Sequence, residues 1–199
     1  MLLAGCASKP QPPAWQPNAH SALDGFTDAW LHGETAASDA EFARARRETA
    51  STGRFDNVAQ AELVRCAVRV ASLEYECPGY AALAQDATPA QQAYAAYLDG
   101  RWQGLNVGLL PEQHRGVVTG GTLAGVSDPL ARLVAAGALL KAGRIAPADI
   151  GNAVDTASSH GWRRPLLAWL GVQERRAEAA GDTAAVQQIR RRIALASEG

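Results

Sequence analysis

Four short stretches, Thr52-Gly53-Arg54-Phe55, Asp99-Gly100-Arg101-Trp102, Ala142-Gly143-Arg144-Ile145 and Ala180-Gly181-Asp182-Thr183, decide how this chain folds. Each places a glycine where a helical pattern stops and another begins, the position at which a left-handed residue closes a helix. Their glycines are spaced 47, 43 and 38 residues apart, the length of one helical hairpin. Gly33 and Gly161 read as stops of the same kind. Helix starts are equally local. Ser21 with Asp24, Ser38 with Glu41, and Thr88 with Pro89 and Gln91 each set a hydroxyl three residues before a side chain that reaches back. Asp128-Pro129 and Pro147 put proline at the first helical position, with Ile145 and Ile150 at the two ends of a hydrophobic staple.

Between these signals, apolar residues recur at three and four: Val58, Ala61, Val64, Ala67, Val68 and Ala71 in one segment, and Leu130, Leu133, Val134, Gly137 and Leu140 in another. Trp162, Leu166, Trp169 and Leu170 form a stripe facing Val186, Ile189 and Ile193, and Arg190-Arg191-Arg192 fall on the solvent side of the last helix, as an end cap requires. No segment reads as a strand. The expectation is an all-α fold of stacked helical hairpins, with an irregular helical bundle as the alternative. The junctions and the Trp169-Leu170-Gly171 and Leu139-Leu140-Gly143 segments resemble a degenerate tetratricopeptide array over residues 38–198. That resemblance implies an α-solenoid that binds protein segments; it carries no particular activity.

A second resemblance lies at the start. Leu3-Ala4-Gly5-Cys6 is similar to the lipobox of bacterial lipoproteins. It implies cleavage before Cys6, lipidation of its thiol and, with Ala7 next, an outer-membrane anchor facing the periplasm. Residues 1–5 are then the remnant of a signal peptide. Residues 6–19 are the lipidated cysteine and a tether rich in proline (Pro10, Pro12, Pro13, Pro17), for which extended geometry of about 3.1 Å per residue is expected. Residues 20–199 form a single helical domain.

Composition narrows the function. The net charge of -1, from 19 basic and 20 acidic side chains, argues against sequence-independent nucleic-acid binding, which needs a basic surplus. Cys66 and Cys77 are an even pair in a compartment that permits disulfides. One unbroken helix would hold them about 16 Å apart, too far for a bridge. Pro78 bends Cys77 out of helical geometry, so a stop near Ser72 brings them together; two buried thiols are the other reading.

No HExxH, Gly-x-Ser-x-Gly, phosphate loop or dinucleotide fingerprint occurs, and His20, His32, His114 and His160 are scattered, so neither metal nor cofactor is expected. His160 reads as a favourable charge at a helix end, and Glu74 and Glu76 as a solvated one. The Arg44-Arg46-Arg47, Arg163-Arg164 and Arg175-Arg176 clusters read as solvated faces. The glycine-rich stretch from Gly100 to Asp128 is the least regular; a Gly100, Gly104 and Gly108 face suggests close helix packing, and a mobile binding segment is the alternative. Two function classes follow. The first is a non-catalytic scaffold that binds an envelope protein or peptide through a groove, with Trp102 and Arg115 as anchors and the bilayer met only through Cys6. The second is a cell-wall enzyme, or an activator of one, with its site in residues 100–128.

Overall fold

The computed structural model describes residues 12–198, all of whose regular structure is helical. Cys6, the lipobox and the start of the tether lie outside the described residues. α1 (Trp15–His32) and α2 (Thr35–Ala50) form the first hairpin, and α3 (Phe55–Ala71) follows. A short α4 (Pro78–Ala81), a 3-10 turn at Ala84–Asp86, α5 (Pro89–Leu98), a second 3-10 turn at Val107–Leu109 and α6 (Glu112–Gly120) make an irregular middle. α7 (Pro129–Lys141) with α8 (Pro147–Ser159), and α9 (Arg163–Ala179) with α10 (Thr183–Ser197), complete the chain. The fold is all-α, built of helical hairpins packed on one another. α1, α2 and α3 pack in succession, as do α6 to α10, and α3 also packs on α7 and α1 on α9, so the stack folds back on itself.

The local signals act as their chemistry requires. Thr88 and Gln91 close a capping box, Asp128 accepts from the Ala131 amide at 2.7 Å, and Pro147 opens α8. All six glycines read as stops adopt left-handed φ between 65° and 88°. Gly100 also needs its missing side chain, because a Cβ there would stand 2.7 Å from the Ala142 backbone nitrogen.

Two starts differ from expectation. α1 begins at Trp15, not with Ser21, so residues 15–19 of the expected tether are helical. Pro17 is the third helical residue, where the N–H it lacks has no partner within a helix. α2 begins at Thr35, and Ser38 is buried inside its first turn, donating to the Thr35 carbonyl at 3.0 Å. The Gly100, Gly104 and Gly108 face is not a helix face: residues 100–106 are turns and irregular chain, and a Cβ on Gly104 would meet nothing within 4 Å.

The larger core joins α3, α5, α7, α8 and α9 around Leu63, Tyr97, Leu133, Leu139 and Trp169. Trp169 ties α9 to the end of α3 by donating to the Ala71 carbonyl at 3.0 Å. A smaller core of Phe26, Trp30, Phe42 and Val68 joins the first hairpin to α3. Arg164 lies over the Trp30 ring at 4.0 Å and donates to the Trp30 carbonyl, so it holds α9 against α1. Cys66 and Cys77 are bridged, with Cα atoms 5.6 Å apart, because α3 stops at Ala71 and Leu73 takes a left-handed turn that brings the chain back.

Candidate functional site

A cleft of about 630 Å³ is roofed by α1, floored by α3 and closed by α5, the 109–114 segment and the start of α7. Leu23, Val64, Tyr94, Leu109 and Leu130 are among its apolar lining. Each comes from a different element: Val64 from the outer edge of the α3 stripe, Leu109 from the 3-10 turn before α6, Leu130 from the first turn of α7. Leu109 is 38% exposed, a large apolar side chain left at the rim. The cleft falls within the size range of small-ligand and peptide sites.

The polar groups have defined places. His114 lines the cleft yet is only 2% exposed, and its Nδ1 lies 3.1 Å from the Tyr97 hydroxyl. Burial pushes its pKa down to about 4, against the opposing charge of Asp128, so the imidazole is neutral at physiological pH. Burial raises the Tyr94 and Tyr97 phenols well above the ordinary range, so both stay protonated. Gln91 spends its amide on the Asp56 carbonyl at 2.8 Å, fixing α5 to the start of α3. At the rim, Asp24 pairs with His20 at 3.6 Å and Asp128 caps α7. Among the described residues no Lys or Arg lines the cleft. Such an arrangement can remove apolar ligand surface from water and hydrogen-bond it, with a neutral imidazole held by a tyrosine hydroxyl among its polar groups.

The glycine-rich segment does enter this site, through Leu109, Leu110, Pro111, Gln113 and His114 and not through the two residues expected from sequence. Trp102 is half-buried: it stacks on Tyr97 with ring centres 5.5 Å apart and planes 5° apart, donates to the Tyr97 carbonyl at 2.9 Å, and lies under Arg144. Arg115 is exposed and donates to the Leu110 carbonyl at 2.9 Å. These contacts share no partner. Sequence reasoning passed over Tyr94, Leu109 and the Tyr97–His114 pair. The spacing of Tyr94 and Tyr97 places both on one side of α5, but nothing local says which meets a cleft.

The other residues singled out fall elsewhere. Arg46 reaches buried Glu62 at 3.0 Å, Arg44 pairs with Glu41, Glu74 with Arg69, and Arg190 with Glu174 and Glu178. Arg46 therefore ties α2 to α3, Arg164 ties α9 to α1 and Arg190 ties α10 to α9. His160 caps α8, its Nδ1 2.9 Å from the Thr156 carbonyl. Among the described residues no group of three or more His, Cys, Asp or Glu side chains is placed to hold a metal ion, and no helix is long and apolar enough to cross a membrane. No family model, no curated protein and no solved structure matches the chain.

Proposed function

We propose that this chain is a lipid-anchored binding protein of the cell envelope. It faces the periplasm from the outer membrane and holds an apolar segment of an envelope protein or peptide in the cleft between α1 and α5–α7, without catalysis. The cleft carries the reading. It is a preformed apolar groove lined from several helices, and it leaves Leu109 at the rim where a partner's apolar side chain meets it. The lipobox-like Leu3-Ala4-Gly5-Cys6 supplies the anchor. The tether and first helix then present the cleft away from the bilayer.

The test is photo-crosslinking in the intact envelope, with a photoreactive residue at Leu109 in the cleft or at Leu195, which is 73% exposed on α10. A discrete adduct from Leu109 and none from Leu195 supports the reading. The same adduct from both positions, or none from Leu109, overturns the cleft as the site. Cys6→Ser is expected to release the protein from membranes, and retention of that variant at high salt removes the anchor from the proposal.

A further inference from the structure

A trough of about 560 Å³ runs along α8, between that helix, the first turn of α7 and the 122–125 segment, and shares no lining residue with the cleft. Asp149, Asn152, Thr156 and Ser159 recur at three and four residues, so α8 turns one polar stripe to the trough while Ile150, Ala153, Val154 and Ala157 face the core.

Most of that stripe is spent on α8 itself. Thr156 donates to the Asn152 carbonyl at 2.7 Å, Ser159 donates to the Thr156 carbonyl at 3.1 Å, and His160 Nδ1 lies 2.9 Å from that same carbonyl. Asp149 differs. It is 6% exposed, forms no ion pair among the described residues, and its carboxylate has one contact, Asn152 Nδ2 at 3.5 Å from Oδ1. Its Oδ2 accepts from no described group and is not sealed, so it opens to solvent through the trough. The helix dipole favours an acid in a first turn, which steadies the charge without giving Oδ2 a donor. Buried charges are otherwise paired, as Glu62 is with Arg46.

Arg132 is the cation of the trough. Its Nε donates to the Val126 carbonyl at 2.9 Å, and its two terminal nitrogens have no described partner and are likewise open. The other cations of α7 and of its link to α8 are engaged elsewhere: Lys141 stands over the Tyr75 ring, and Arg144 donates to the Val118 carbonyl and lies over Trp102. Arg132 and Asp149 do not pair. The α7–α8 hairpin sets the first turn of α7 beside the last turns of α8, and about 10 Å of helix rise separates Asp149 from Thr156 at that end. Two opposite charges thus face one trough from its two ends, with exposed Asp155 a further acid on the lining. We propose that the trough binds a free basic amino acid. Its carboxylate takes the two free arms of Arg132, its side-chain ammonium reaches Asp149 on a flexible four-carbon stem, and its α-ammonium lies toward Asp155. Two carboxylates against one guanidinium, His160 aside, match the net positive charge of such a ligand. The site is independent of the cleft and of its occupant.

The experiment is calorimetric titration of L-lysine into the full chain, for which saturable binding at one site is expected. Lysinamide, which lacks the carboxylate, and norleucine, which lacks the side-chain ammonium, should each bind at least about tenfold more weakly. Asp149→Asn keeps the shape and removes the charge: it should weaken lysine about ten- to hundredfold, the worth of a hydrogen bond to a charged group, and leave norleucine unchanged. Its melting temperature should stay level or rise, because no ion pair is lost. Ala90→Trp, which fills the cleft, should leave lysine binding intact. Absence of saturable binding, lysinamide or norleucine equal to lysine, unchanged lysine affinity in Asp149→Asn, or loss of binding in a folded Ala90→Trp overturns the proposal. Should Asp149→Asn fail to fold, the two analogues decide alone.

Discussion

Gly137→Ala sets helix propensity against packing at one atom. In an isolated helix the change is favourable by about 1 kcal/mol, because glycine loses the most backbone entropy on folding. In α7 the added Cβ would overlap the Val70 carbonyl oxygen and stand 2.8 Å from Val70 Cγ1 and 3.1 Å from its carbonyl carbon. Two of those atoms are α3 backbone, so relief requires the two helices to separate. Their interface carries Leu133 and Val134 of the larger core, and the Tyr75 hydroxyl donates to the carbonyl of Gly137 itself. Overpacking costs about 1–3 kcal/mol, and a clash with backbone belongs at the upper end. Subtracting the gain in propensity leaves a net loss of about 2 kcal/mol, or roughly 4–8 °C in melting temperature for a chain of this size. Circular-dichroism melts and urea midpoints should show it. Gly151→Ala in α8, where a Cβ meets nothing within 4 Å, is the control and should gain up to about 1 kcal/mol. A Gly137→Ala protein that melts at or above the wild type refutes the reasoning, as does an equal loss in Gly151→Ala.

Three further outcomes follow from the same contacts. Burial lowers the His114 pKa from 6.5 to about 4, so as pH falls through that window the unfolded chain takes up a proton that the native chain refuses. Stability is full above pH 6.5 and declines toward pH 4, by at most about 3 kcal/mol. Urea titrations across the window should show a steeper decline for the wild type than for His114→Gln, and equal slopes would remove this assignment. Replacing Cys66 and Cys77 together with alanine should cost about 2–3 kcal/mol in the chain-entropy model, and two freely alkylated thiols after oxidising expression would contradict the bridge. Trp102→Ala should cost about 2 kcal/mol, less than the roughly 3–5 kcal/mol of a fully buried tryptophan, through loss of the Tyr97 stack, and exposed Arg115→Ala should stay within about 0.5 kcal/mol. An unchanged melting temperature for Trp102→Ala, with weakened partner capture, would return Trp102 to the role of an exposed anchor.

How far the chain can be read without coordinates depends on the range of the interaction. Helix stops at Gly33, Gly53, Gly100, Gly143, Gly161 and Gly181 were legible because a left-handed residue is a local backbone requirement that glycine meets without strain. Thr88 and Asp128 were legible for the same reason, since a cap bonds three residues ahead. Ser38 shows the limit: the same hydroxyl and spacing occur inside α2, where the helix had already begun at Thr35 and the serine bonds backward. Pro17 shows it again, since proline tolerates the first turn of a helix as readily as an extended tether.

The sites were less legible because each depends on what another element leaves uncovered. The α3 stripe is apolar throughout, yet Ala61 and Ala71 are core while Val64 is left half-buried on the floor of the cleft, a division made by where α1 and α7 cross and not by anything in α3. Trp102 looked like an exposed anchor because its neighbours are glycine and polar; its burial comes from Tyr97 and from Arg144, which lies far along the chain. Glu62 makes the point most sharply. It sits between Ala61 and Leu63 and is 3% exposed, a charge that would be ruinous alone. Its place rests on Arg46 from α2, at 3.0 Å, and on Gly79, whose missing Cβ leaves room for the carboxylate. Gly79 directly precedes Tyr80 in α4, so the contact that accommodates the Glu62 carboxylate also seats the Tyr80 ring in the larger core. A one-residue choice in a four-residue helix thereby decides whether a buried ion pair fits between α2, α3 and α4, and only the packed structure brings them together.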